Sequence, residues 1–469
     1  MPHPKFLLQA ACPRGLSSRV RGAILITVAS AFILLVLRSH ARFRTASHVA
    51  NHAGIDANVH AIRSDDSRLG ISTVSQKVDE STSPETAASK SHRNEVPSLD
   101  GRGDNKRFII NTAQCTIPNL DPLDPSIAPF VSKAEAIDCS KDFPNLTFSK
   151  DTRLNINAPV LQQVLRQSPV AKLHCCFRPF FRKVKPRSDD DIVFQADCIP
   201  FQDGMEIPYE FVKIECYNGD VLFYANYHAF VHPKQSYQRR FKEHFKPDRP
   251  GYQYSVLIVG VDGVSRLNAH RQFPQTVRFL KEQMGAVEMF GYTKVGDNTF
   301  PNLVPLLTGL TERELAFGVW TESEYLDSLP ILWKAFAANG WSTLYAEDNP
   351  AISTFNYFKH GFLDQPTDFY FRPFLSVYER EAGHRKPLNC HQCVGARSET
   401  DVVLQWLRSY KELMLKWPSF AFVWLNSATH DDFNGGSQVD HIHRSGVIFF
   451  ATGAVIEHFR NIRYCSRVT

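Results

Sequence analysis

The chain has 469 residues, of which 43% are apolar and 22% charged, and a formal net charge of +5. That length holds two or three domains with a large core, and that composition excludes a wholly disordered chain. Basic residues are scattered rather than striped, which excludes nucleic acid as the partner.

Residues 1–21 are basic and read as a cytoplasmic tail. Gly22 to Leu37 is an uncharged apolar run of sixteen residues. A spanning helix takes about 17–25 residues, and a signal-peptide core takes about 7–15. Arg38 and Arg42 make Ser39-His40-Ala41 a poor cleavage site. The expectation is an uncleaved transmembrane signal anchor over 22–38, with a cleaved signal peptide as the alternative. Flanking charge does not orient it, because Arg38, Arg42 and Arg44 offset Lys5, Arg14, Arg19 and Arg21. The cysteines and the sequon Asn145-Leu146-Thr147 do, since both belong outside the cytosol. The expected protein is therefore single-pass type II, with its bulk extracellular or lumenal and Asn145 as a glycosylation site.

Residues 39–107 are rich in Ser, Thr, Asp, Asn and His and cannot bury enough apolar surface to fold. They read as a disordered stem. Its Arg102-Gly103-Asp104 triplet reads as chance in a flexible segment rather than as an integrin motif. Residues 108–250 read as a β-rich, disulfide-containing accessory region. There Asn218-Gly219, between Tyr209–Tyr217 and Asp220–Val231, is a strong hairpin signal.

Ten cysteines are present. Cys12 stands before the apolar run. The other nine are Cys115, Cys139, Cys175, Cys176, Cys198, Cys216, Cys390, Cys393 and Cys465. They read as disulfides of an oxidising compartment. Nine is odd, and Cys465 is the expected leftover thiol. Cys390-His391-Gln392-Cys393 lacks a second pair at zinc-site spacing, so disulfide use is preferred to metal there.

From 251 the pattern alternates strand and helix. Val256–Gly263 is a buried parallel strand ending in Asp262-Gly263. Phe273 to Met284 is helical, and Ala286 to Phe290 is strand-like. Gly296-Asp297-Asn298-Thr299-Phe300-Pro301-Asn302 opens another helix, with Pro301 in its first turn. A helix over Pro330–Asn339 stops at Gly340. A strand over Trp341–Ala346 ends in Glu347-Asp348, which either face a site or cap and pair locally. Phe358–Phe374 is an aromatic loop. Ser398 caps a helix running to Trp417, and Phe420–Leu425 is a further strand. Its loop reads Asn426-Ser427-Ala428-Thr429-His430-Asp431-Asp432. This βαβ series makes the fold class α/β, with a mostly parallel sheet and helices on both faces over 251–469.

Strand ends in such sheets carry the chemistry. Asp262 stands at one, and is either a turn cap or a carboxylate meeting a cation. Thr299 is either a helix N-cap or a nucleophile favoured by the helix end. His430 and Asp431 follow another buried strand and suit zinc-like ions.

Together these motifs resemble the alkaline-phosphatase superfamily. Leu257-Ile258-Val259-Gly260-Val261-Asp262-Gly263, followed by Thr299-Phe300-Pro301-Asn302 and Leu307-Thr308-Gly309-Leu310, is similar to nucleotide pyrophosphatase/phosphodiesterase domains. The longer run from Val295 to Gly309 resembles sulfatase-like membrane glycoproteins of nematodes and insects. The resemblance spans about Cys115 to Asp440. It implies a divalent metal, zinc or calcium, with Asp262, Thr299, His430 and Asp431 as metal ligands and Thr299 as catalytic nucleophile. It implies a phosphoester or glycan-linked substrate. The sulfatase branch's Cys-x-Pro-x-Arg sequence is missing near Thr299, which favours phosphoesters. Relatives continue to a Ser-Asp-His-Gly segment. Here the only Asp-His pair is Asp440-His441, with no strand before it, so the domain reads as incomplete. A catalytically inactive extracellular glycoprotein, acting as a binding module, is the alternative.

Overall fold

Four strands rich in Val, Ile, Leu and Phe lie side by side and parallel, and they fix where the chemistry can sit. The computed structural model describes residues 107–141, 143–167, 173–245 and 254–451. The expected tail, the anchor and nearly all of the stem lie outside those residues, as do Cys12 and Cys465. No helix among the described residues is long and apolar enough to cross a membrane.

Three antiparallel strands precede the parallel sheet in the chain: β1 (Leu173–Arg182), β2 (Phe211–Asn218) and β3 (Val221–Ala229). The Asn218-Gly219 turn joins β2 to β3, as its chemistry predicts. The parallel sheet holds β4 (Val256–Val261), β5 (Ser342–Glu347), β6 (Phe369–Tyr370) and β7 (Ser419–Leu425), in the order β4-β7-β5-β6. Val261 pairs with Leu425 and Glu347 with Trp424. The carboxyl ends of β4, β7 and β5 therefore align.

Side chains alternate across this sheet as the pleat requires. Leu257, Leu344, Ala421 and Val423 enter one core with helices α3 (Arg372–Ala382) and α4 (Glu399–Met414). Ile258, Tyr345, Phe420 and Phe422 enter the other with α1 (Phe300–Thr308) and α2 (Leu332–Ala338). Gly260 lies under the Trp424 ring, where a Cβ would sit 1.9 Å from a ring carbon. Ser398 caps α4 by accepting from the Asp401 amide, and Glu399 and Asp401 add charge that suits the helix start.

The β-rich region shares the first of these cores. Phe180 stacks on Phe374 with ring centroids 6.1 Å apart, Phe211 meets the same ring at a tilt at 5.5 Å, and Tyr227 meets Tyr378 at 4.8 Å. Its opposite face has a core of its own, including Phe177, Val212 and Ile214. Disulfides Cys175–Cys216 and Cys176–Cys198 tie that sheet. A third, Cys139–Cys393, joins positions 254 apart in sequence.

Two expectations are corrected. Ala286–Phe290 forms no strand. Its alternation is inverted, with Val287 and Met289 exposed and the acid Glu288 turned inward to Arg266, His270 and Lys281. The helix expected over 273–284 is present, as Pro274–Arg278 followed without a gap by a π-helical turn at Phe279–Gln283. Cys115 and Cys390 are both free, so the leftover thiol is not Cys465 alone.

Candidate active site

The loops after β4, β5 and β7 meet at the carboxyl edge of the sheet. They border a cavity of 1010 Å³ whose walls include Asp262, Thr299, Lys359, Asn389 and His430.

Asp262 is 8% exposed. Burial raises its carboxyl above the usual range, opposed by a hydrogen bond from Thr299 and the charge of His430. The next residue, Gly263, has φ +69°, and a Cβ there would lie 2.9 Å from the Thr429 carbonyl oxygen. A glycine lets the two loops touch, which brings Asp262 to the His430 loop.

Thr299 opens α1 but does not cap it with its side chain. Its Oγ1 donates to Asp262 Oδ1 at 3.0 Å. Of the two readings open for this hydroxyl, the cap is not the one adopted. Asn298 before it holds φ 68°, an uncommon conformation for a residue with a side chain. Asn302, one turn into α1, maintains that bend. Its Oδ1 accepts from the amides of Val295 and Gly296 at 2.8 and 3.3 Å. Its Nδ2 donates to the carbonyls of Gly296 and Asn298, both at 2.7 Å.

His430 stands in the loop after β7 with its Nδ1 2.8 Å from Asp431 Oδ1. Asp431 also accepts from the amides of Asn389 and Cys390, at 2.5 and 3.0 Å, and from Asn389 Nδ2 at 2.8 Å. Burial pushes this carboxyl up, but hydrogen bonds from His430 and Asn389 outweigh it and hold it at about 2. The tautomer with a proton on Nδ1 leaves His430 Nε2 as the acceptor.

Glu347 and Asp348 lie under this loop rather than in the cavity wall. Glu347 accepts from Tyr345 and Thr354, and Asp348 from the amides of Asn426 and Ser427. Burial drives their carboxyls up to about 7 and 6. Asp440 caps a helix, accepting from the amides of Gln275 and Thr276 at 3.0 Å each, and neither Asp440 nor His441 lines this cavity. Asn145 is half-buried beside a separate 640 Å³ cavity, with Thr147 bonded to His228 at 2.8 Å.

The structure thus brings Asp262, Thr299 and His430 to one cavity, with Asp431 behind His430. A family model described as protein of unknown function (DUF229) matches residues 132–445, well over half of the chain. The chain belongs to the DUF229 family. No curated protein and no solved structure matches it.

Three residues of this DUF229 site escaped the sequence reading. Asn302 looked like part of a helix start. Lys359, whose ammonium lies 4.0 Å from the centre of the Phe300 ring, sat in an aromatic loop. Cys390 looked like half of a disulfide. Its thiol, a His430 ring nitrogen and an Asp431 oxygen all lie within 4.8 Å of one another. The Cys-x-x-Cys spacing was the one signal that could have drawn attention to it.

Proposed function

We propose that this cavity is the active site of a metal-dependent phosphoester hydrolase or transferase with Thr299 as nucleophile. One observation supports it most: a hydroxyl free of capping duty, 3.0 Å from a buried carboxylate, at the wall of a large cavity. The cavity's cationic side chains, Arg271, Lys294 and Lys359, outnumber its acids Asp262 and Glu312, which suits an anionic ester. The sulfatase-like resemblance supports the same reading.

The donor set fits a divalent ion. Asp262 is a buried carboxylate acted on by His430, and oxygen and imidazole donors suit zinc, while oxygens alone suit calcium. Asp262 and Thr299 would hold one ion, and His430 with Asp431 a second. Such an ion screens phosphoryl charge and favours the ionised hydroxyl.

The chain's own residues then do the following. Thr299 Oγ1 forms a bond to phosphorus as the bond from phosphorus to the leaving oxygen breaks. The hydroxyl proton passes to water, the ionised form being favoured by the ion that Asp262 and Thr299 would hold, and Asp262 orients the oxygen through its contact with Thr299. The leaving alkoxide takes a proton from water. Water, or an acceptor alcohol, then bonds to phosphorus and gives up its proton as the bond from phosphorus to Thr299 Oγ1 breaks, and Thr299 regains a proton from solvent. Asn302 keeps Thr299 in place throughout.

The apolar segment at 22–38 would anchor the protein as a type II ectoenzyme. Three disulfides are in keeping with an oxidising compartment.

The test is hydrolysis of a nitrophenyl phosphoester by the purified ectodomain supplied with zinc or calcium. Thr299→Ala should abolish turnover, and Asp262→Asn should also lower the bound metal found by elemental analysis. Undiminished turnover in Thr299→Ala would sink the proposal.

A further inference from the structure

We infer that Cys390 is a thiolate ligand which, with His430 and Asp431, makes the second metal position a zinc-class site. This rests on the reading above that His430 and Asp431 serve an ion, and it adds a ligand and a metal class.

Cys390 is 1% exposed and unpaired, while Cys393, three residues on, is bonded to Cys139. The pairing of Cys393 moors the loop and leaves the Cys390 thiol beside His430 and Asp431, the three ligand atoms within 4.8 Å of one another. Ligand bonds of about 2.0–2.3 Å bring such atoms to roughly 3.3–3.6 Å. The adjustment needed is therefore at most about an ångström and a half.

The charge around the thiol points the same way independently. Asp348 and Glu399 are 0% exposed and Glu379 is 8% exposed. The negative charges of Asp348, Asp431, Glu399 and Glu379 all bear on the position of this thiol. The cation drawing down both Glu379 and Glu399 is Lys386, on the surface. Glu399 has no side-chain partner and only the Asn349 amide as a donor. A carboxylate so buried is costly unless it is protonated or a cation is near. A divalent ion at Cys390 supplies that cation.

Binding is balanced in charge. The ion displaces one proton, that of the Cys390 thiol, and the thiolate with the Asp431 carboxylate balances a divalent ion while His430 binds as a neutral imidazole. Asp431 keeps its bonds from Asn389 and the Cys390 amide, which orient it as a ligand. Three protein ligands leave a fourth position open, and Asn389 and His430 both line the cavity. A thiolate favours zinc over calcium, which takes oxygen ligands.

The experiment loads the metal-free protein with cobalt(II) and records its absorption spectrum. A thiolate-to-cobalt charge-transfer band in the near ultraviolet is expected. It should persist in Cys115→Ser and vanish in Cys390→Ser. Cys390→Asp, which keeps an anionic ligand, should still bind cobalt but without the band. No band in the unaltered protein, or a band retained in Cys390→Ser or Cys390→Asp, overturns the inference. Thr299→Ala should keep the band. A protein with the band but no phosphoester turnover would lose the hydrolase reading and keep this site. A protein with turnover on calcium and no band would do the reverse.

Discussion

Replacing Asn302 by Ala tests whether the bend before Thr299 is held by one side chain. Asn302 makes four hydrogen bonds at 2.7–3.3 Å to the backbone of residues 295–298. Each such bond contributes about 1 kcal/mol net. Val295 is 61% exposed, so part of the freed backbone regains water. The expected loss is therefore about 2–3 kcal/mol rather than the full sum. The bend would also relax, because Asn298 holds φ 68° only while its carbonyl is tied. A shift of about 1 Å at a nucleophile costs roughly a hundredfold in rate. The assay pairs urea unfolding with steady-state hydrolysis of a nitrophenyl phosphoester. Asn302→Ala should lower kcat with KM nearly unchanged, since the side chain is committed to the loop. Asn302→Asp keeps the acceptor but sets a buried carboxylate oxygen against the carbonyls of Gly296 and Asn298, so it should be at least as damaging as Asn302→Ala. Stability within about 0.5 kcal/mol of the parent, together with unchanged kcat, would refute the reasoning.

Two further predictions concern pH and topology. Glu347 and Glu379 are raised to about 7 and Asp348 to about 6, all by burial, so the folded protein holds protons that the unfolded chain has lost. Stability in chelator should therefore fall as pH rises from about 4.5 through 7. Asp431, held at about 2, contributes the opposite slope only below about pH 4. An unfolding midpoint that is level or rising between pH 5 and 8 contradicts this. Topology is tested by protease protection of microsomes: the folded bulk should survive digestion from the cytosolic side, and its loss there removes the type II assignment.

The parallel sheet was legible because β4 and β7 are nearly continuous apolar runs, and two of the site loops follow from where those runs end. Asp262 and Thr299 were legible as one short motif each. Their separation was not, since it depends on the pairing of β4 with β7 and the placement of α1. Asp431 was legible only as the neighbour of His430, and the contacts that orient it were not. The four hydrogen bonds that saturate it come in part from Asn389 and Cys390, far away in the chain. Cys390 was hidden for the same reason: its neighbour Cys393 pairs with Cys139 across 254 positions, a partner no spacing rule identifies. Ala286–Phe290 misled because alternation reveals periodicity but not which side faces inward.

Gly263 shows how the gap between the two halves of the site is determined. Backbone meets backbone there, with the Thr429 carbonyl 2.9 Å from where a first side-chain carbon would stand. The dimension is thus a property of main-chain thickness, and repacking of nearby side chains leaves it unchanged. Drift in the surrounding core can alter how firmly the loops are held without altering how far apart they stand. A relative with any larger residue at this position must carry a longer or differently folded loop opposite it to keep the same aperture.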